Sequence, residues 1–492
     1  MNRRIGFFLI FIILCGLFTG CRDESDGSGY IFKYDVPDNP RTLDPQNASG
    51  RTAALLIANM FDGLLKVDGD GNIVGNMAVR YSVCSDMLIY TFILREDVYW
   101  YFGGESEILC TARDFVFGFR RLFNPAVKSV NAPLFYNIKN AEKVHKGEIS
   151  ELDAVGVEAR GDFELVITLE EPDPLFIHLL TTPPAMPCNE EIFNKTAGRY
   201  GLNAANIPSN GAFYITQWYF DAYRRDDNMI AMRRNTKNNR PDSDERIYPF
   251  GLNFFIGRDE DPFLNFQINV TQAFTAEGSA AEFLISQGFP YDSFENITWG
   301  VYFNTSRGRV FRNEDLRFAL AASINREEIS ISRNGWRTAK SILPPLVDKG
   351  VGNDIISYNP EEARAAFETG AKAAGHGNLT DVNIIMSESE VAEEYLRRIL
   401  QQWQAILGFY CTIKALPFHE YERAIAENDY DIAFMRLTGG FNHPDAYLSR
   451  IVEENFIPIC YQTEMFFYNP RSRDLLYNPF TGVICFKSAK YF

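Results

Sequence analysis

Histidine is scarce in this chain: five residues in 492, at 145, 178, 376, 419 and 443, with no two of them four apart. No H-E-x-x-H is present, so the paired helical imidazoles of a zinc protease are missing. The eight cysteines form no C-x-x-C pair, which removes a zinc ribbon. There is no G-x-S-x-G nucleophile elbow and no phosphate-binding G-x-x-x-x-G-K-[ST] loop. Asp68-Gly69-Asp70-Gly71-Asn72 has the opening spacing of a calcium loop, but Ile73 stands where that loop needs Gly and Val79 where it needs Glu. No metal, cofactor or catalytic set is therefore expected. Lys and Arg total 48 against 64 Asp and Glu, without basic clusters. This excludes nucleic acid as a partner, because neutralising phosphate needs grouped cations. No apolar run reaches the roughly 20 residues that span a bilayer.

One shorter apolar run is present. Arg3 and Arg4 precede Ile5–Phe18, a length that suits the core of an export signal. It ends in Leu17-Phe18-Thr19-Gly20-Cys21, followed by the polar run Arg22-Asp23-Glu24-Ser25. Small residues before a Cys resemble the processing box of bacterial lipoproteins, although Phe18 stands where an aliphatic residue is usual. The expectation is that 1–20 is a lipoprotein signal peptide and that Cys21 is the lipidation site. The mature chain would then sit lipid-anchored on the extracytoplasmic face of the membrane, behind the Ser/Gly/Asp tether of residues 23–29. In the six later cysteines, disulfides and buried thiols are both open.

With 46% hydrophobic and 14% aromatic residues the chain is globular, and its length implies two or three domains. Strands are expected at 30–34, 88–94, 164–169, 384–386 and 430–435, with a hairpin from 213–218 and 229–233. Helices are expected at 52–65, 112–122, 313–325 and 391–407, where apolar residues recur at helical spacing. Thr111 is a candidate cap, with Asp114 in the first turn. The alternation indicates a mixed α/β fold.

Several motifs then recur in one order. Arg41-Thr42-Leu43-Asp44-Pro45 is followed by Asn59-Met60-Phe61-Asp62-Gly63-Leu64-Leu65, Tyr90–Arg95, Trp100 and Thr111–Phe117. Pro208-Ser209-Asn210-Gly211-Ala212-Phe213 and Trp218 come next, then Phe303-Asn304-Thr305, Phe311, and Asp315–Leu320 running into Ile324-Asn325-Arg326. Together they resemble the extracytoplasmic oligopeptide and dipeptide solute-binding proteins of ABC importers, from about residue 30 to 445 and again at the C-terminus. The resemblance implies a two-lobed, periplasmic-binding-protein-like type II α/β fold with an extra subdomain. Lobe I would comprise 22–61, 186–272 and 456–492, the subdomain 62–185, and lobe II 273–455. It also implies a monomer that captures a small peptide or other small solute and delivers it to a membrane permease.

By the same resemblance, Ser49, Gly50 and Arg51 line the cleft from one side. Arg436, Leu437, Thr438, Gly439 and Gly440 line it from the other, with Asn442 and Asp445 downstream. Trp299, Tyr302 and Asn304 lie on a strand at its edge, where core packing is the competing reading. Peptide-binding relatives carry an aromatic residue and, three positions on, an Asp that pairs with the ligand amine. Here Leu437 takes the aromatic place and Gly440 the Asp place. Either another acid such as Asp445 supplies the charge, or the ligand lacks a free amine, with Arg436 or Arg51 available to a carboxylate. Lobe II is also short near its end, where Tyr447 leads almost directly to Ile457. These departures keep two alternatives open: a non-peptide solute on the same fold, or a sensing or interaction lipoprotein that no longer serves transport. Asp44 and Asn210-Gly211 read as turn residues, and Trp100 and Trp218 as core.

Overall fold

The computed structural model describes residues 29–492, apart from 70, 241–242, 244, 259, 331–334, 348–354, 376–378 and 380–381. The leader, Cys21 and nearly all of the tether lie outside the described residues. Ile31–Val36 opens a four-stranded sheet by pairing in parallel with Gly251–Ile256, which continues through Met229–Arg234 to Phe213–Tyr219. The last two strands form the expected antiparallel pair, with a bulge between Ile215 and Gln217.

The long passage between Val36 and Phe213 holds a second, wholly antiparallel sheet of Ala78–Val83, Ile89–Leu94, Glu164–Thr168 and Val157–Ala159. Its inner face buries Tyr90, Phe92, Leu94, Leu165 and Ile167, while Val79, Tyr81 and Ile89 face water. That one-sided burial is usual for antiparallel sheets. The Ala112–Phe123 helix contributes buried Phe115, Phe119 and Leu122 to the same core. It starts as expected, since the Asp114 carboxylate accepts the Thr111 N–H at 2.8 Å and Trp100 Nε1–H at 3.2 Å.

The first helix is shorter than its apolar pattern predicts. It spans Arg51–Met60, and Phe61 is already extended. The periodic residues continue to Leu65, but the chain is taken over by tertiary bonds. Asn210 Oδ1 accepts the Asp62 N–H at 3.1 Å, its Nδ2 donates to the Asp62 carbonyl at 2.9 Å, and Ser209 Oγ donates to the Met60 carbonyl at 2.6 Å. Asn59 ties the same helix to the C-terminal hairpin through Ile484 and Phe486. Two motifs far apart in sequence thus make one joint.

A seven-stranded sheet follows, ordered Ala273–Ala276, Phe456–Tyr468, Tyr291–Phe303, Ile432–Leu437, Asn383–Ser387 and Thr412–Leu416, with Trp336–Thr338 also on Phe456–Tyr468. Ile297, Trp299, Val301 and Phe303 alternate into a core with Leu316 and Leu320 of the Glu314–Ala322 helix and Tyr395, Leu396, Ile399 and Trp403 of Glu390–Leu407. The latter helix begins at Ser389, whose hydroxyl accepts the Ala392 N–H, and stops at Gly408 in the left-handed region. The expected helix to Asn325 ends at Ala322 instead, because Asn325 caps a separate turn at Arg326–Ile329.

Phe456–Tyr468 bridges the two halves. Ile457, Ile459 and Cys460 belong to the core of the seven-stranded sheet, whereas Phe466 packs with the N-terminal core. One continuous strand thus contributes to both cores, the first part to one and the last part to the other. Between Leu437 and Phe456 lie a short helix, Asp445–Leu448, and one turn at Glu453–Asn455. Cys84, Cys110, Cys188, Cys411, Cys460 and Cys485 are all free, and Cys110, Cys188 and Cys460 are buried. Among the described residues, no helix is long and apolar enough to cross a membrane.

Candidate functional site

Arg51 stands at the start of the first helix, on the N-terminal half. Across from it are Trp299 and Arg436 of the seven-stranded sheet and Thr438, just past the end of its Ile432–Leu437 strand. These four line one cavity of about 470 Å³ together with Thr275–Glu277, Ser387–Ser389, Tyr421, Glu422, Arg450, Gln462 and Glu464. The volume lies within the range of small-molecule sites. Three arginines and four glutamates share the lining, so both signs of charge are offered to a ligand.

The floor is tightly organised. Trp299 is buried between Trp336 and Phe434, and its Nε1–H donates to Gln462 Oε1 at 2.7 Å. Gln462, also buried, donates its amide to the Glu277 carboxylate. Glu277 is exposed to the cleft. Burial raises its pKa, and the Arg436 charge and the Gln462 bond oppose that rise. Arg51 is held by the Tyr477 hydroxyl at 3.2 Å and the Gly482 carbonyl at 3.3 Å. A side chain at Gly482 would overlap the guanidinium, and its φ of +67° also favours glycine. Asn296 joins Glu464 at 3.3 Å to the Pro479 carbonyl. Arg450 donates to the Thr438 carbonyl at 2.9 Å.

The other residues singled out from sequence lie elsewhere. Ser49 and Gly50 are exposed just before the helix, with Gly50 at φ +89°. Leu437 is buried against Tyr447 and Met435. Tyr302 points to the opposite face from Trp299, where its hydroxyl accepts the Val452 N–H at 3.2 Å. Asn304 shapes a turn by donating to the Asn428 and Tyr430 carbonyls. Gly439 packs under Tyr447, whereas Gly440 is exposed with open space around it. Asp445, suggested as a substitute acid, sits 3.7 Å from His443 Nδ1 and outside the cavity lining. Glu277, Gln462 and Glu464 were not legible as site residues. No motif marks them, although Gln462 and Glu464 are polar positions two apart in an apolar strand.

A second contact joins the inserted segment to the Phe441–His443 stretch. His178, from the inserted segment, packs on Phe441 at 5.3 Å and on His443 at 5.7 Å between ring centres. Leu175 packs against the apolar cluster around Tyr447. The side chain of Asn442 lies beside Gly71. Burial lowers the pKa of His178 to about 4, helped by the neighbouring His443 and opposed by Asp173.

Residues 72–456 match the family described as bacterial extracellular solute-binding proteins, family 5. The chain is 23% identical over 473 residues to a dipeptide-binding protein of Lactococcus lactis, covering 89% of this chain and 80% of that one. It is 24% identical over 443 residues to a probable deoxycholate-binding periplasmic protein of Escherichia coli, covering 86% and 78%. Its fold superposes on Listeria monocytogenes OppA bound to peptide with a TM-score of 0.71 at 20% identity, covering 94% and 99% of the two chains. This chain belongs to the family 5 bacterial extracellular solute-binding proteins.

Proposed function

We propose that this protein is the substrate-binding component of an ABC importer, and that it captures short peptides between its two lobes and presents them to a membrane permease. The observation that carries this reading is the 470 Å³ cavity, lined by Arg51 from one half and by Trp299, Arg436 and Thr438 from the other. A ligand touching both halves stabilises their approach, which is a hinge closure. The division into lobe I, subdomain and lobe II is part of the same reading, with the crossing placed inside Phe456–Tyr468. The protein is a monomer attached through acylated Cys21, and it binds without chemical conversion of its ligand.

Thermal unfolding of the leaderless protein with and without a mixed pool of short peptides tests this. A rise in midpoint that is lost in Arg436→Gln supports cleft binding, because ligand binding to the native state alone stabilises it. No rise at millimolar peptide contradicts it. For the anchor, Cys21→Ser should release the full-length protein from membranes, and retention would contradict acylation there.

A second reading, a non-peptide solute in the same cleft, is supported by Gly440 at the place of the amine-pairing Asp and by the relative named for deoxycholate. The same unfolding assay with a bile acid separates the two.

A further inference from the structure

Glycine at 440 leaves a peptide amine without its usual partner, yet the cleft contains a carboxylate that is short of one. Glu277 sits at the junction of the Ala273–Ala276 strand and the Gly278–Ser286 helix. At that position its side chain makes no capping bond to the helix. It turns instead towards Gln462, whose amide is its hydrogen-bond donor. Gln462 cannot swing away freely, because it is buried and its oxygen is held by the indole of buried Trp299. Arg436 is close enough for its charge to be felt by Glu277 but forms no ion pair with it. Among the described residues the Glu277 carboxylate, exposed to the cleft, has one neutral donor and no ion pair, so its other oxygen is open to an incoming donor. A cation with several donors is the partner that suits that oxygen.

We propose that Glu277 is the amine-binding residue of this cleft, so that the ligand carries a free ammonium group which docks on Glu277. This deepens the peptide-receptor reading and rests on it. Trp299 and Gln462 act as positioning residues that fix the carboxylate. Asp445 is excluded from the role by its place beside His443, outside the cavity. A charge-assisted bond between ammonium and carboxylate is the strong kind, and its geometry is already set before ligand arrives.

The test uses a random tripeptide pool with free N-termini and the same pool N-acetylated, each titrated against wild type and Glu277→Gln, with the bound fraction read by native mass spectrometry. Wild type should favour the free-amine pool by about tenfold or more. In Glu277→Gln the preference should vanish while acetylated peptides bind as in wild type, which also shows that the variant is folded. An unchanged preference in the variant, or no preference in wild type, overturns the role of Glu277 and leaves the peptide reading intact. Failure of wild type to bind either pool overturns both.

Discussion

Arg121 grips Asp44 with both terminal nitrogens, Nη1 to Oδ1 at 3.1 Å and Nη2 to Oδ2 at 2.6 Å, and both residues are almost fully buried. The guanidinium also donates to Gln46 Oε1 at 2.7 Å and lies over the rings of Phe193 and Tyr200. This pair joins the inserted segment to the turn that begins the cleft wall. A buried ion pair adds little over a well-packed apolar substitute, but losing one partner strands the other charge. Asp44→Ala should therefore cost about 3–5 kcal/mol, measured as a lowered denaturant midpoint. A loss below about 1 kcal/mol would contradict the burial of this pair. Arg121→Lys should not rescue stability, since an ammonium cannot reproduce the bidentate fork.

Adjacent glycines should respond differently. A Cβ at Gly439 would fall inside the ring of Tyr447, whose hydroxyl donates to the Asn296 carbonyl at 2.7 Å. Gly439→Ala is predicted to destabilise by about 1–3 kcal/mol through overpacking. Gly440→Ala meets open space and should stay within about 0.5 kcal/mol of wild type. Thermal unfolding of the two variants checks this, and equal effects would contradict the placement of Tyr447.

The contact of His178 with Phe441 and His443 predicts a pH dependence of closure. His178 has its pKa lowered from 6.5 to about 4 where it is packed, and would return towards 6.5 when the contact opens. A proton therefore binds the open form better. The contact is fully favourable above pH 6.5 and weakens as the pH falls through 4. Asp173 beside His178 and Asp445 beside His443 temper the effect, as does partial exposure. Ligand affinity should fall roughly threefold to tenfold between pH 7 and 4.5 beyond any ligand titration. His178→Gln should flatten that slope. A slope unchanged in the variant would show that this contact is not part of closure.

Trp299→Phe keeps the buried ring but removes the donor to Gln462. Loss of one buried hydrogen bond should cost about 1–2 kcal/mol of stability. If Gln462 fixes Glu277, affinity for free-amine peptides should fall as well, while affinity for acetylated peptides changes little. Titration calorimetry of both ligands on the variant checks the coupling.

Most of the fold was legible because local pattern and tertiary structure agree. Ser389–Gly408 has a cap, an apolar stripe and a left-handed stop, and folds as read. The first helix was over-extended because the signal that ends it, Asn210 on Asp62, lies about 150 residues away. Within the site, alternation along strands separates Trp299 from Tyr302, and Arg436 from Leu437, so strand parity divides these neighbours between opposite faces of the sheet. Glu277, Gln462 and Glu464 come from two segments nearly 190 residues apart and meet only because Ala273–Ala276 pairs with the far end of Phe456–Tyr468. Nothing local marks that pairing.

The most direct measurement is native mass spectrometry of the protein purified without residues 1–20 and without added ligand. Closure around a bound solute slows its release, so a ladder of added masses matching short peptides, lost on unfolding, is predicted. An empty protein that no peptide pool fills would contradict the account.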